Sequence, residues 1–539
     1  MALSNYRDKR FLIIDSLKPS RDLLKQFAFN LDPEVVEACG YANDIVLRCA
    51  QTHYDVLLLG YNLGESQKNG QQLLEELREN GLVNRQSVVI LITAENSQAM
   101  VLAALEHKPD DYLTKPYRIK DLRDRLERCY RKKHHMKSIY QALDSSDANT
   151  AIELCNQAID SNSPYKAECY GIKSRQLFEL QEYEQAATIY RQFKHQRNCQ
   201  WATIGLGKIA LKQQDFSGAI NLFTNLVEQH PLYLSSYDWL ATCYEAIEQY
   251  IKAQEVLETA IKISPLSVKR IERFAKLCFD NGEFDKATQA FEQNYQLSYN
   301  SIHHKPDNAF NFSESLNLYA DELTSSELKQ RKLRVINALN ETNKTFKSPD
   351  TRVQMQLHSA RIMMKTHEEY DAQRILNNSE SYIDKVSEQL TSETLIKASR
   401  LLNELDRKEI ANTLINLVVE REPDNADLMA EVDMLLDESL KREEFVVAQK
   451  ALNQAAQYYR QQNYGQALLG LFAAQQLYPN HIGIKLNFVQ VLLAYYQESK
   501  DSSKLNEAND LLASLVGLPS NHPAYQRYQT LNQQYKSLI

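Results

Sequence analysis

Along the first 125 residues, short apolar runs alternate with longer amphipathic stretches. The runs are FLIID (11–15), DVLLLG (55–60) and SVVILIT (87–93), with a weaker DYLTKP at 111–116. Apolar runs of this length, bounded by polar residues, predict buried strands. Helical spacing fills the stretches near 20–30, 42–52, 68–80, 96–107 and 118–130, and LDPEVVEACG at 31–40 supplies a short second strand. Strands alternating with helices predict a parallel sheet covered on both faces. The expected fold of this segment is therefore a doubly wound α/β domain with a five-stranded parallel sheet, its functional site at the carboxyl ends of the strands.

From residue 146 onward the pattern changes to one long helical period. QEYEQAATIY, QQDFSGAINLF, IEQYIKAQEVL and NGEFDKATQAF share an aromatic residue, two variable positions and an alanine. The alanines are Ala186, Ala219, Ala253 and Ala287, at intervals of 33, 34 and 34 residues. Tyr183, Phe216, Tyr250 and Phe284 each stand three residues before their alanine, and Pro231 and Pro265 each stand twelve after theirs. A second cluster carries Tyr464, Ala467 and Pro479 with the same offsets, Ala411 and Pro423 repeat the longer one, and Ala508 with Pro519 gives a further unit. AIELCNQAID at 151–160 reads as a half-repeat. Repeated units of this length predict stacked helix pairs sharing one continuous core. The segment 301–390 lacks the signature, and HHKPDNAFNFSES predicts a loop near 301–314.

Composition narrows the functional classes. The chain has 539 residues, a formal net charge of −8 and only 14 glycines and 13 prolines. An acidic chain is a poor nucleic-acid binder, because that task needs basic surface. No run reaches transmembrane length, so no membrane insertion is expected. The N-terminal MALSNYRDKRFLIID lacks the order of a signal peptide, and cytoplasmic residence is the expectation. The eight cysteines lie between Cys39 and Cys278 with no C-x-x-C pair, and read as buried thiols rather than a disulfide framework or zinc site. His303, His304 and Asp307 are better explained by a polar loop than by a metal. The basic run Arg128, Arg131, Lys132, Lys133, His134, His135 and Lys137 falls within a connector free of glycine and proline, and reads as a solvated helix face.

The strand ends of the first segment carry a recognisable set. Asp15 ends the first strand, Thr93 the fourth, Lys115 follows the fifth, and Tyr112 lies within it. In this order, residues 8–130 resemble a response-regulator receiver domain of the CheY-like kind. The resemblance implies an acidic pair at 15–16, a phosphoacceptor aspartate at 60, a hydroxyl at 93, a switch aromatic at 112 and a lysine at 115. Two positions depart from it: the second acidic residue is Ser16, and the acceptor position is Gly60. Glycine cannot form an acyl phosphate. With Asp15 the one remaining carboxylate, magnesium binding is expected to be weak or lost, and no other cofactor is implied.

The helical units resemble tetratricopeptide repeats. That resemblance implies an all-α solenoid whose first helices line a concave protein-binding face, including Lys208, Lys212, Asp238 and Lys276. The expected organisation is a receiver-like domain at 1–128, a helical connector at 129–145, a repeat array at 146–300, an irregular helical segment at 301–390 and a second array at 391–539. No phosphate loop, nucleophile elbow or HExxH motif occurs, so an enzyme is not expected. The expected function is a signalling adaptor, with a phosphorelay response regulator driven by a non-standard input as the alternative. Protein partners are expected, and the sequence is silent on oligomeric state.

Overall fold

The computed structural model describes residues 5–538 except 43, 65–67, 96, 107–108, 423–424, 426–427, 429–430, 433–434, 436–441, 478–481, 517 and 519–523. The chain divides into two compact units, 1–319 and 320–539.

The first unit begins with five parallel strands and five helices in alternation. These are β1 (Arg10–Ile14), α1 (Lys18–Phe29), β2 (Val35–Cys39), α2 (Ile45–Gln51), β3 (Val56–Gly60), α3 (Gly70–Glu79), β4 (Val88–Thr93), α4 (Gln98–Glu106), β5 (Asp111–Thr114) and α5 (Ile119–His135). The strand order is β2-β1-β3-β4-β5. Strands β3 and β4 are buried along their whole length, as expected of apolar runs enclosed by helices on both faces. Register aligns Ile14 with Leu59, Gly60 with Ile92 and Thr93 with Thr114. The ends of β1, β3, β4 and β5 therefore meet at one edge of the sheet.

Helices follow without interruption by strands: α6 (Lys137–Asp144), α7 (Ala148–Asp160), α8 (Lys166–Glu179), α9 (Tyr183–Phe193), α10 (Gln200–Lys212), α11 (Phe216–Gln229), α12 (Ser235–Ala246), α13 (Tyr250–Ile263), α14 (Val268–Asp280), α15 (Phe284–Ser298) and α16 (Pro306–Tyr319). The expected loop at 301–314 is replaced by α16 from Pro306 onward. Proline fits the first helical position because its missing N–H has no partner there anyway. Apolar Ala309, Phe310, Phe312 and Leu316 then give α16 a buried face.

The repeated signature has a local physical cause. Tyr183, Phe216, Tyr250 and Phe284 are each the first residue of a helix, and Ala186, Ala219, Ala253 and Ala287 are fully buried. Five residues before each alanine the chain turns through a left-handed residue: Gln181 (φ 64°), Gln214 (φ 62°), Glu248 (φ 61°) and Gly282 (φ 81°). The next amide then reaches back to close the preceding helix, Glu182 N to Leu177 O (2.8 Å), Asp215 N to Ala210 O (2.9 Å), Gln249 N to Tyr244 O (2.8 Å) and Glu283 N to Cys278 O (2.8 Å). This is the helix-ending motif that satisfies the last carbonyls of one helix while reversing the chain. Between hairpins, packing is equally close: a Cβ on Gly205 of α10 would lie 2.3 Å from the ring of buried Tyr190 on α9.

The second unit contains α17 (Ser325–Thr345), α18 (Pro349–Lys365), α19 (Glu369–Val386), α20 (Ser392–Glu404) and α21 (Lys408–Arg421), with further helices at Arg442–Arg460, Tyr464–Leu477, Ile482–Ser499, Ser502–Ala513 and Tyr525–Leu538. The same turn recurs here at His367 (φ 59°), Asp406 (φ 59°) and Gln462 (φ 59°), each five residues before a buried alanine, Ala372, Ala411 or Ala467. The segment 301–390, expected to be irregular, is thus made of regular helices and contains a hairpin of the same construction. Ala148 at the head of α7, Glu369 and Lys408 occupy the place of the missing aromatic in the units of Ala151, Ala372 and Ala411. Pro423, Pro479 and Pro519 lie outside the described residues.

Replacing Ala219, Ala253 or Ala467 with Leu should overpack its hairpin and cost about 1–3 kcal/mol. Thermal unfolding of the three variants checks this, and unchanged midpoints for all three would contradict the shared packing role.

Candidate functional site

The strand ends bring Asp15, Gly60, Thr93 and Lys115 to one pocket. Asp15 is 2 % exposed, so its carboxylate needs partners. Lys115 Nζ lies 2.6 Å from Oδ2, Ser20 Oγ donates to the same oxygen at 2.7 Å, and the Leu17 amide donates to Oδ1 at 3.0 Å. Arg21 on α1 holds the Asp15 carbonyl at 2.6 Å. Ser16 turns away from this set and donates to the Asn62 carbonyl at 2.8 Å, tying β1 to the loop after β3.

Gly60 ends β3 directly beside Asp15. A Cβ built there would stand 3.0 Å from the Ile14 carbonyl oxygen and 3.4 Å from the Asp15 carboxyl carbon. Gly70, the first residue of α3, closes over the same point, where any Cβ would strike the Gly60 carbonyl oxygen at 2.2 Å. Asn69 caps α3 by a reciprocal pair with Gln72, which fixes the helix start. The acceptor position is thus bordered by the Ile14 carbonyl and by the Asp15 carboxylate, with the start of α3 packed on the Gly60 carbonyl.

Thr93 and Tyr112 both hold the loop after β4. Thr93 is 4 % exposed and accepts from the Glu95 amide at 3.0 Å, while the Tyr112 hydroxyl donates to the Glu95 carbonyl at 2.7 Å. Burial pushes the Tyr117 phenol up to about 12, and the nearby Asp15 charge adds to the shift.

A magnesium ion needs several hard oxygen donors. Asp15 already accepts three hydrogen bonds, Ser16 is directed to Asn62, and Gly60 offers no side chain. These residues do not fit a hexacoordinate cation. Among the described residues, no group of three His, Cys, Asp or Glu side chains is placed to share a metal.

The remaining expected residues are dispersed. Lys208 lies over Phe178 (4.5 Å) and Trp239 (5.0 Å), and burial lowers its pKa. Asp238 is held by Arg270 through two contacts of 2.8 Å, Lys276 pairs with Glu272 at 2.9 Å, and Lys212 is exposed. Asp238 is thus tied to Arg270 within the array, while the Lys276 side chain stays more than half exposed. His303 pairs with Glu75 at 2.8 Å across the junction of α3 with the helices. The basic run from 128 to 137 is not simply solvated: Arg128 pairs with Asp111, Lys133 with Asp110 (2.8 Å) and Lys132 with Glu168 (2.6 Å).

Sequence reasoning passed over Ser20, Arg21, Arg270 and Glu106. Ser20 and Arg21 carry a weak signal, standing in the first turn that Pro19 marks after Asp15. Arg270 and Glu106 have none, since both read as ordinary surface charges.

A β2-β1-β3-β4-β5 parallel sheet with an aspartate, a threonine and a lysine at its carboxyl edge defines a receiver-type domain. Residues 11–127 match the response regulator receiver domain family. Over 160 residues the chain is 27% identical to the two-component response regulator ORR26 of Oryza sativa subsp. japonica, covering 29% of this chain and 26% of the rice protein. Over 74 residues it is 40% identical to the transcriptional regulatory protein CiaR of Streptococcus pneumoniae, covering 14% of this chain and 31% of that protein. The chain thus spans about a quarter to a third of the length of these curated relatives. Among solved structures, it is similar to a CheY-like receiver domain from Methanospirillum hungatei JF-1 (21% identity, 24% of this chain, 97% of that chain, TM-score 0.22). It is also similar to the receiver domain of Francisella response regulator 1452 (24% identity, 23% of this chain, 98% of that chain, TM-score 0.21).

Removing Lys115 while leaving Asp15 should strand a buried carboxylate. Lys115→Met is expected to destabilise the receiver-type domain by about 2–4 kcal/mol, and Asp15→Asn in the same chain should recover most of that loss. Hydrogen exchange of the β1 and β3 amides reads both; equal exchange in the single variant and the wild type would contradict the role given to this pair.

Proposed function

We propose that this protein is a non-enzymatic signal-transduction adaptor: a receiver-type domain without a phosphoacceptor, joined to tetratricopeptide-type helix pairs that bind other proteins. One observation carries the reading. The residue at the end of β3 is Gly60, and the carboxylate beside it is already committed to Lys115 at 2.6 Å. Phosphoryl transfer depends on an acceptor and on a metal that neutralises developing charge. Neither has a group to hold it here. The repeated hairpin turn, the buried alanines and the aromatic helix starts support the repeat assignment. Stacked helix pairs leave one face of each first helix outside their own core, where other proteins bind. Cytoplasmic residence belongs to the same proposal. All eight cysteines are free thiols, and no helix among the described residues is long and apolar enough to cross a membrane.

The second reading is a response regulator switched by another input. Thr93 and Tyr112 favour it, since both grip Glu95 at the base of α4, and α4 in turn contacts the helical array through Leu102. A change at that loop would move α4 without any phosphate on residue 60.

The full chain, incubated with a small-molecule phosphodonor and magnesium, should show no mass gain. A stoichiometric gain of one phosphoryl group would overturn the adaptor reading. Gly60→Asp should not restore the reaction by itself, because position 16 still lacks a carboxylate.

A further inference from the structure

Three sulfurs meet where the receiver-type domain passes into the helices. Met136 stands at the break between α5 and α6, Cys155 lies on α7 and Cys169 on α8. All three are buried, the two cysteines fully, in one cluster with Ile139, Tyr140 and Ile172. Helical spacing turns each cysteine inward: Cys155 stands four residues after buried Ala151, and Cys169 three before buried Ile172. Core packing asks only for apolar volume at such positions. Sulfur adds a set of donors to it.

The sulfurs are in contact. Cys169 Sγ lies 3.8 Å from Met136 Sδ. Cys169 also shares a hydrogen bond with Cys155, which raises the pKa of the Cys155 thiol and lowers that of Cys169. Lys173, one turn beyond Cys169 on α8, adds positive charge that favours the Cys155 thiolate. Its ammonium donates to Asn156, the residue after Cys155, at 2.6 Å. Thiol, thiol and thioether are thus supplied by three separate elements, with a cation held beside them.

We propose that Met136, Cys155 and Cys169 form a binding site for monovalent copper. The donor set selects the ion. Two thiolates and a thioether are soft ligands, which suit Cu(I) and not hard cations such as magnesium. Structural zinc takes four ligands, and among the described residues no third His, Cys, Asp or Glu joins this pair. A metal–sulfur bond of about 2.3 Å sets the corners of a trigonal plane about 4 Å apart, and the Met136–Cys169 contact has that length. An ion at the centre of such a plane lies between the sulfurs and needs no cavity. Each thiol gives up its proton as its metal–sulfur bond forms, so two protons leave per ion and affinity rises with pH. Cu(I) with two thiolates keeps one negative charge, which the Lys173 ammonium offsets. A ligand that binds only the folded chain stabilises it. Here the ion joins the end of α5 to α7 and α8, so copper stiffens the passage from the receiver-type domain to the helices.

The full chain, reduced and kept from air, tests this by titration with Cu(I) against a bathocuproine chelator, followed by X-ray absorption of the copper that it keeps. Wild type should keep one copper in a shell of three sulfurs at about 2.3 Å. The C155A/C169A variant should keep none. Met136→Leu conserves volume and leaves the core packed, and it should drop to a two-sulfur shell and yield its copper to the chelator. Circular dichroism establishes that each variant is folded, and the Met136→Leu comparison decides the matter if the double variant is not. Failure of wild type to keep copper, equal retention by folded C155A/C169A, or an unchanged shell in Met136→Leu would each overturn the proposal and leave the three sulfurs as core packing alone.

Discussion

A guanidinium that is 3 % exposed has to be compensated, and the way Arg270 is compensated organises the whole first unit. Removing such a charge from water costs several kcal/mol unless carboxylates replace the hydration. Asp238 supplies one from the neighbouring first helix, and Glu106 supplies the other from the receiver-type domain. The bidentate pair with Asp238 fixes the spacing of α12 and α14. The Glu106 contact fixes the end of α4 against both. Arg273 continues the ladder, reaching Glu245 at 2.8 Å, Thr242 at 2.9 Å and the Asp238 carbonyl at 2.9 Å. Polar side chains that a stacked array would otherwise present to solvent are therefore spent on holding first helices together.

The junction has a second fastening around the amino-terminal ends of β4 and β5. The connector helix α5 runs into α6 with a single break at Met136, and its basic residues find acids on both sides. Lys133 reaches Asp110, Lys132 reaches Glu168 on α8, and Arg85 reaches Asp144 at the end of α6. The Lys132 and Arg85 contacts are partly exposed and individually weak, whereas Lys133 and Asp110 are largely buried. Their importance lies in position, since they bracket β4, α4 and β5 between α5 and the Arg270 contact. The loop held by Thr93 and Tyr112 lies at the opposite, carboxyl edge of the sheet.

How much of this was legible from the sequence depended on whether a residue's role was local. Strand runs such as SVVILIT are enclosed on both faces, and burial alone dictates their composition, so the sheet could be read directly. The hairpins at Ala186, Ala219, Ala253 and Ala287 were equally plain, because each aromatic helix start and each alanine meets its own neighbours. The unit at Ala372 was hidden because Glu369 stands where the aromatic should be, although His367 makes the same left-handed turn. Turn geometry there comes from the backbone bond between Glu368 N and Met363 O, which no side chain advertises. Pro306 misled for a related reason: it marks a loop in one context and a helix start in another, and only the buried face of α16 decides. At the candidate site, the six receiver-pocket positions were named through the resemblance to receiver domains that the strand-end residues carry. Ser20, Arg21 and Glu106 were not, because their partners lie on elements whose approach no local pattern encodes.

The retained pocket raises the question of what keeps a receiver-type fold intact around Gly60. Packing gives one answer. Asp15 is buried beside Gly60, its carboxyl carbon 3.4 Å from a Cβ built there, and its charge is held by Lys115 and Ser20. A second answer comes from the junction. α3 begins at Gly70, whose backbone closes onto the Gly60 carbonyl, and the same helix carries Glu75 to Lys269 and His303. The end of β3 thus sets where α3 starts, and α3 sets where a glutamate meets the array. Under the proposed adaptor role, the geometry at residue 60 remains constrained even with no phosphate to accept, because it aims a face that the helical array uses.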